Sequence, residues 1–96
     1  MAVVNENGRA HVWITGRVQN VNFRGATRDE ARRVSVFGWV KNLNDGRVEA
    51  VFEGNRGAVQ RMVSWCYSGP TNAEIEGVEV TWEEPTNKEG PFGIEW

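Results

Sequence analysis

The chain has 96 residues, a length that suits one domain around one hydrophobic core. Its 11 basic and 13 acidic residues leave a formal net charge of −2, which argues against nucleic acid held by bulk electrostatics. A single cysteine excludes an internal disulfide, a single histidine excludes a multi-histidine metal site, and no apolar run reaches the length of a membrane span. We therefore expect a soluble cytoplasmic protein that engages neither membrane nor nucleic acid.

Met1 to Gly8 is polar and is expected to be flexible. Ala10 to Thr15 then alternates: Ala10, Val12 and Ile14 share one face, and His11, Trp13 and Thr15 share the other. That pattern predicts a strand in a sheet covered on one side, with His11 on its surface. From Gly16 to Arg24 the chain runs through a loop into a segment of helical spacing, Phe23 to about Ser35, with apolar positions at Phe23, Ala26, Ala31 and Val34. A tight turn from strand to helix aims several backbone N–H groups at one point, at the positive end of the helix dipole. Such a point attracts an anion, phosphate above all, and Arg24 adds a planar guanidinium able to hold two phosphate oxygens. An ordinary strand–helix connection with a surface arginine has the same outline, so the loop alone does not decide.

Phe37 to Leu43 reads as a second strand, and Asn44-Asp45-Gly46 as a hairpin turn. Its partner is Arg47 to Glu53, with Val48, Ala50 and Phe52 inward and Glu49, Val51 and Glu53 outward. Asn55 is placed to cap a second helix whose stripe is Val59, Met62, Val63 and Cys66. Cys66 in that stripe is read as a small buried hydrophobe, not a nucleophile. Ser68-Gly69-Pro70 stops the helix, and Ala73 to Glu84 alternates again, with Val78, Val80 and Trp82 on one side. A polar loop, Pro85 to Gly90, leads to a short closing strand, Pro91 to Trp96. The order strand, helix, strand, strand, helix, strand predicts an α+β ferredoxin-like sandwich (βαββαβ). In it, two helices lie on one face of an antiparallel sheet, with a short extra C-terminal edge strand.

Several separated pieces resemble the acylphosphatase family. They are Gly16-Arg17-Val18-Gln19, Val21 with Phe23-Arg24, Gly38-Trp39-Val40-Lys41-Asn42-Leu43, and Asp45-Gly46. The Ser68-Gly69-Pro70 helix end and the closing Phe92-x-Ile94 also fit, so the likeness spans nearly the whole chain. The resemblance implies hydrolysis of the mixed anhydride of acyl phosphates to a carboxylate and inorganic phosphate. It implies a phosphate cradle of Arg17, Val18, Gln19, Asn20, Val21, Asn22 and Phe23, with Arg24 binding the phosphate and Asn42 orienting the attacking water. Phosphoryl transfer asks for positioning and charge stabilisation more than for covalent help. Neither motif offers Mg²⁺ a carboxylate cluster, so we expect no metal and no cofactor. Phosphate or sulfate is the expected site ligand, and the expected state is a monomer. Gln19 and Thr27 are expected to support the loop through hydrogen bonds.

The family loop usually carries glycine where this chain has Asn20, and often a second glycine where it has Asn22. Asparagine is the most tolerant substitute in the left-handed region, so the loop is expected to form. The Asn22 side chain, standing where a helix cap would be, is expected to compete for the N–H groups that should meet phosphate. The alternative reading is therefore a catalytically weakened phosphate- or anion-binding module of the same fold. An acylphosphatase-like domain of a larger carbamoyl-transferring maturation protein is disfavoured because the chain stops after the closing strand. A ferredoxin-like RNA-binding domain is disfavoured by the acidic balance.

Overall fold

The computed structural model describes residues 6–96. The elements run β1 (Asn7–Arg17), α1 (Phe23–Arg33), β2 (Phe37–Asn42), β3 (Val48–Asn55), α2 (Arg56–Cys66), β4 (Glu74–Glu83) and β5 (Gly93–Ile94). They build a five-stranded sheet in the order β4-β1-β3-β2-β5. Within it β1 is antiparallel to both β3 and β4, and β3 is antiparallel to β2. Each helix joins strands that are not neighbours, so both crossovers fall on one face, giving the expected ferredoxin-like α+β sandwich. The alternation read in the sequence sets what that face buries. Ala10, Val12 and Ile14 of β1, Val40 of β2, and Val48, Ala50 and Phe52 of β3 meet Phe23 and Ala31 of α1 and Val59, Met62 and Cys66 of α2. Burying the valine, isoleucine, phenylalanine and methionine side chains among them contributes about 1.5–3 kcal/mol each.

Several boundaries differ from the sequence reading, each for a local reason. The segment expected to be flexible, residues 1–8, lies outside the described residues up to residue 5, but Asn7 and Gly8 pair with Asn55 and Gly54 and lengthen β1. Helix α1 stops at Arg33, short of Ser35. Ser35 takes a left-handed φ of 59°, and the N–H groups of Ser35 and Val36 donate to the carbonyls of Arg32 and Ala31. That is the glycine-type helix stop made by a serine. The Asn44-Asp45-Gly46 turn forms as expected, closed by Leu43 N–H to Arg47 O at 2.8 Å, with Gly46 at φ 97°. Asn55 caps α2, its side-chain oxygen accepting from the N–H groups of Gly57 and Ala58. Trp82, expected alongside Val78 and Val80, sits on the outermost strand and stays 46% exposed.

The sheet is mixed, not fully antiparallel: β5 pairs with β2 in parallel, Val40 opposite Ile94, and spans two residues of the expected closing segment from Pro91 to Trp96. The connection explains the direction. The chain leaves β4 beside the start of β1, where Arg9 faces Glu83, and crosses that end of the sheet to the start of β2, where Pro91 bridges Phe37. A strand entering from the end where β2 begins must run with it.

The crossing also changes the face away from the helices, which the sequence reads as open. Glu53 points outward yet is only 4% exposed, because the N–H groups of Thr86 and Asn87 and the Thr86 hydroxyl donate to its carboxylate from the crossing loop. Arg9 donates from the other side at 2.9 Å. Val51, also outward, is fully buried between its strand neighbours His11 and Trp39. His11 itself is no bare surface residue: it stacks on Trp13 at 4.1 Å, and its ring nitrogens lie 2.6 Å from Glu49 and 3.2 Å from Glu83.

Candidate active site

At the opposite end of the sheet, β1 finishes with a bulge between Thr15 and Gly16. Gly16 has φ 134°, and a Cβ there would strike the backbone carbonyl of Glu74, so the exit from β1 into the loop requires glycine. The chain then turns through residues 18–22 into α1. Asn20 (φ 63°) and Asn22 (φ 59°) both lie in the left-handed region, so asparagine does what glycine would do there. The loop is anchored twice. Val18 is buried in the core, and Gln19 Nε2 donates to Leu43 O at 2.8 Å and to Arg47 O at 3.0 Å. Those two carbonyls flank the hairpin that carries Asn42, so one glutamine fixes the loop relative to β2. Thr27, expected to support the loop, is buried and instead bonds within the first turn of α1, its hydroxyl donating to Phe23 O at 2.7 Å.

A cleft of about 130 Å³ opens between the loop, the start of α1 and the ends of β2 and β5. It is lined by Val18, Asn20, Asn22, Phe23, Arg24 and Asn42 from the sequence-predicted set, and by Gly25, Ile94 and Trp96, which sequence reasoning missed. Arg17, Gln19 and Val21 stand outside the lining: Arg17 is an exposed strand residue paired with Glu74, and Val21 packs on the core. Gly25 had a signal in hindsight, as a glycine inside the first turn of a helix. A side chain there would collide with the Asn22 amide, which rests over it.

The expected cap by Asn22 does not form. Its backbone is left-handed (φ 59°, ψ 34°), whereas a capping side chain needs an extended backbone to reach the second and third helical amides. The first bond of the helix runs from Ala26 N–H to Asn22 O at 3.0 Å. The N–H groups of Phe23, Arg24 and Gly25 precede it and carry the positive end of the helix dipole. Arg24 is the one charged residue among those lining the cleft, and no carboxylate joins it. The Arg24 guanidinium carbon lies 4.4 Å from the centre of the Trp96 ring. Opposite, Asn42 Oδ1 is buried and accepts no hydrogen bond from the described residues. Leaving such an acceptor without any partner would cost about 1–3 kcal/mol.

The other reactive groups lie elsewhere. Burial pushes the Cys66 thiol up to about 12, so it stays protonated and inert within the core, as read from the sequence. His11 is held on the outer face by Glu49 and Glu83. The cleft therefore combines a cation, helix-terminal amides and neutral amide side chains, with no side chain able to act as a strong base.

The acylphosphatase family model matches residues 10–94. An acylphosphatase of Chloroflexus aurantiacus is 68% identical over 88 residues, covering 92% of this chain and 96% of that protein. One from Roseiflexus is 66% identical over the same length, covering 92% and 95%. The solved structure of an acylphosphatase from Coxiella burnetii superposes with a TM-score of 0.88 at 31% identity, covering 93% of each chain. With the fold, the strand–loop–helix cleft and these relatives in agreement, the chain belongs to the acylphosphatase family and is a hydrolase.

Proposed function

We propose that the cleft hydrolyses acyl phosphates without a metal, with Arg24 and Asn42 as its catalytic residues and the 17–23 loop as the phosphate cradle. The observation that carries this reading is the meeting of Arg24 and Asn42 across one cleft at the N-terminus of α1, with Asn42 Oδ1 accepting no hydrogen bond from the described residues. The phosphoryl group enters as an anion, held by the first amides of α1 and by two N–H donors of Arg24. Asn42 Oδ1 accepts a hydrogen bond from a water molecule and aims its oxygen at phosphorus. As that oxygen bonds to phosphorus, the bond from phosphorus to the acyl oxygen breaks and the carboxylate leaves with the electron pair. A proton of the water passes to a phosphate oxygen. A carboxylate is a good leaving group, so a protein base is not required, in keeping with a cleft lined by no His, Asp or Glu. Positive charge at the developing equatorial oxygens comes from Arg24 and the amides, in the place a metal would otherwise take. The small acyl phosphate is the partner, inorganic phosphate or sulfate the simple site ligand, and a cytoplasmic monomer the working form.

The test is steady-state hydrolysis of benzoyl phosphate with EDTA present. Arg24→Ala and Asn42→Ala should each lower kcat/KM by on the order of a hundredfold or more. Full activity in either variant would remove that residue from the mechanism, and loss of wild-type turnover with EDTA would refute metal independence.

A weakened anion-binding module is the second reading, favoured by Asn20 at the cleft lining. Its other support is weakened: the Asn22 side chain makes no cap hydrogen bond, although its amide still rests over Gly25 at the cleft. Asn20→Gly decides between them. A change of less than about threefold in kcat/KM is expected if the left-handed asparagine already serves the loop, with the small strain of the left-handed region as its only handicap. A rise of tenfold or more would place the protein with the weakened modules.

A further inference from the structure

Trp96 is 93% exposed and lines the cleft beside Arg24. It reaches that place because β5 runs parallel to β2. With Ile94 opposite Val40 and the Glu95 N–H donating to Val40 O at 2.8 Å, the next residue along β5 comes level with Asn42 at the end of β2. An antiparallel closing strand would carry the same residue toward Phe37, at the far end of the sheet.

The contact it makes there is of a kind that one other arginine shares, Arg56, whose guanidinium carbon lies 5.8 Å from the centre of the Trp82 ring and away from the cleft. It differs from the contacts of the arginines that bond to oxygen. Arg9, Arg28, Arg33 and Arg47 spend N–H donors on carboxylates, and Arg32 donates to Phe92 O. Arg24 instead meets the face of an indole. A ring face attracts the guanidinium through its quadrupole and leaves the in-plane N–H edge unoccupied. A carboxylate at the same place would hold the side chain but take the donors that phosphate needs, and would add a negative charge beside an anionic substrate.

We propose that Trp96 is a positioning residue: it holds the Arg24 guanidinium flat against the cleft wall, with its donor edge turned to the phosphoryl oxygens. The inference rests on the role given above to Arg24. Held this way, a long side chain loses less freedom when phosphate binds, and the gain appears as affinity for the phosphoryl group. Because the acyl part takes no share in it, the gain is the same for every acyl phosphate.

The experiment compares the wild type with Trp96→Ala, Trp96→Phe, Arg24→Ala and the double variant Arg24→Ala/Trp96→Ala. It reads kcat and KM for acetyl phosphate and benzoyl phosphate, inhibition by inorganic phosphate, and the melting temperature. Trp96→Ala should raise KM and the inhibition constant of phosphate about two- to fivefold, by the same factor for both substrates, with kcat changed less than twofold. Trp96→Phe should recover most of the loss, and the double variant should be no worse than Arg24→Ala. Melting should be unchanged, as befits an exposed side chain. Unchanged phosphate inhibition in Trp96→Ala overturns the proposal. So does a larger loss with benzoyl phosphate, which would make the ring a surface for the acyl group, or a loss that persists in the Arg24→Ala background. Wild-type affinity for phosphate in Arg24→Ala would instead overturn the role of Arg24, and Trp96 would fall with it.

Discussion

The two ends of the sheet treat buried polar groups in opposite ways. At the end where β1 and β2 begin, the Glu53 carboxylate is buried and met on every side, by Arg9, by two backbone N–H groups and by the Thr86 hydroxyl. At the end where they finish, Asn42 Oδ1 is buried and accepts no hydrogen bond from the described residues. One end spends its polar atoms on holding a loop in place, and the other leaves an acceptor that, in the function proposed above, a ligand would meet. If the proposed function holds, the difference is one between a polar group that serves stability and one that serves chemistry, which fold and composition alone cannot tell apart.

The largest way to break this contrast is at Glu53. Glu53→Ala leaves Arg9 and the loop amides without their acceptor and should destabilise the protein by about 3 kcal/mol, measured by urea unfolding, with kcat for acyl phosphate unaltered. Unaltered stability would mean that the crossing loop is held by something else. The same carboxyl has a pH signature. Burial would raise it, but hydrogen bonds from Arg9, Asn87 and Thr86 outweigh burial and hold it below its ordinary 4.5. Its contribution is therefore complete above that ordinary value and is lost as pH falls through the lower folded one. Glu53→Gln should flatten the acid limb of stability against pH. The smaller effect is at the other end and has the opposite sign. Asn42→Val removes the buried Oδ1 from a strand position that suits a β-branched residue. It should raise stability by about 1 kcal/mol while hydrolysis is lost. A loss of stability instead would show that Asn42 contributes to holding the fold.

The places of the loop, Arg24 and Asn42 in the fold are legible in the sequence because each sits at a junction that local pattern marks: a strand that alternates, a helix that repeats, a turn spelled Asn-Asp-Gly. The roles proposed for them come from the family resemblance. What escaped depends on what covers what. Alternation gives the face a residue points to, so Val51 and Glu53 are correctly outward, but it is blind to the crossing loop and the aromatic pair that bury them. A strand of two residues has no period, so neither its direction nor the arrival of Trp96 beside Arg24 was visible. Asn22 was misjudged because a cap residue and a left-handed residue share the same amino-acid preference and differ only in backbone.

The parallel seam between β2 and β5 joins two residue pairs, whereas β1 pairs with its neighbours along nearly its whole length. Up to Phe92, which is buried and stacks on Phe52, the closing segment is anchored in the core, so the part expected to open before the sheet melts is the short stretch beyond it. In that opening the other four strands stay closed while Ile94 and Trp96 leave the cleft. Heat would then silence the enzyme in two stages: a reversible fading of turnover as the edge peels, and only later the cooperative loss of structure. On that expectation, the temperature at which turnover fades would be set by the shortest strand and not by the sheet as a whole.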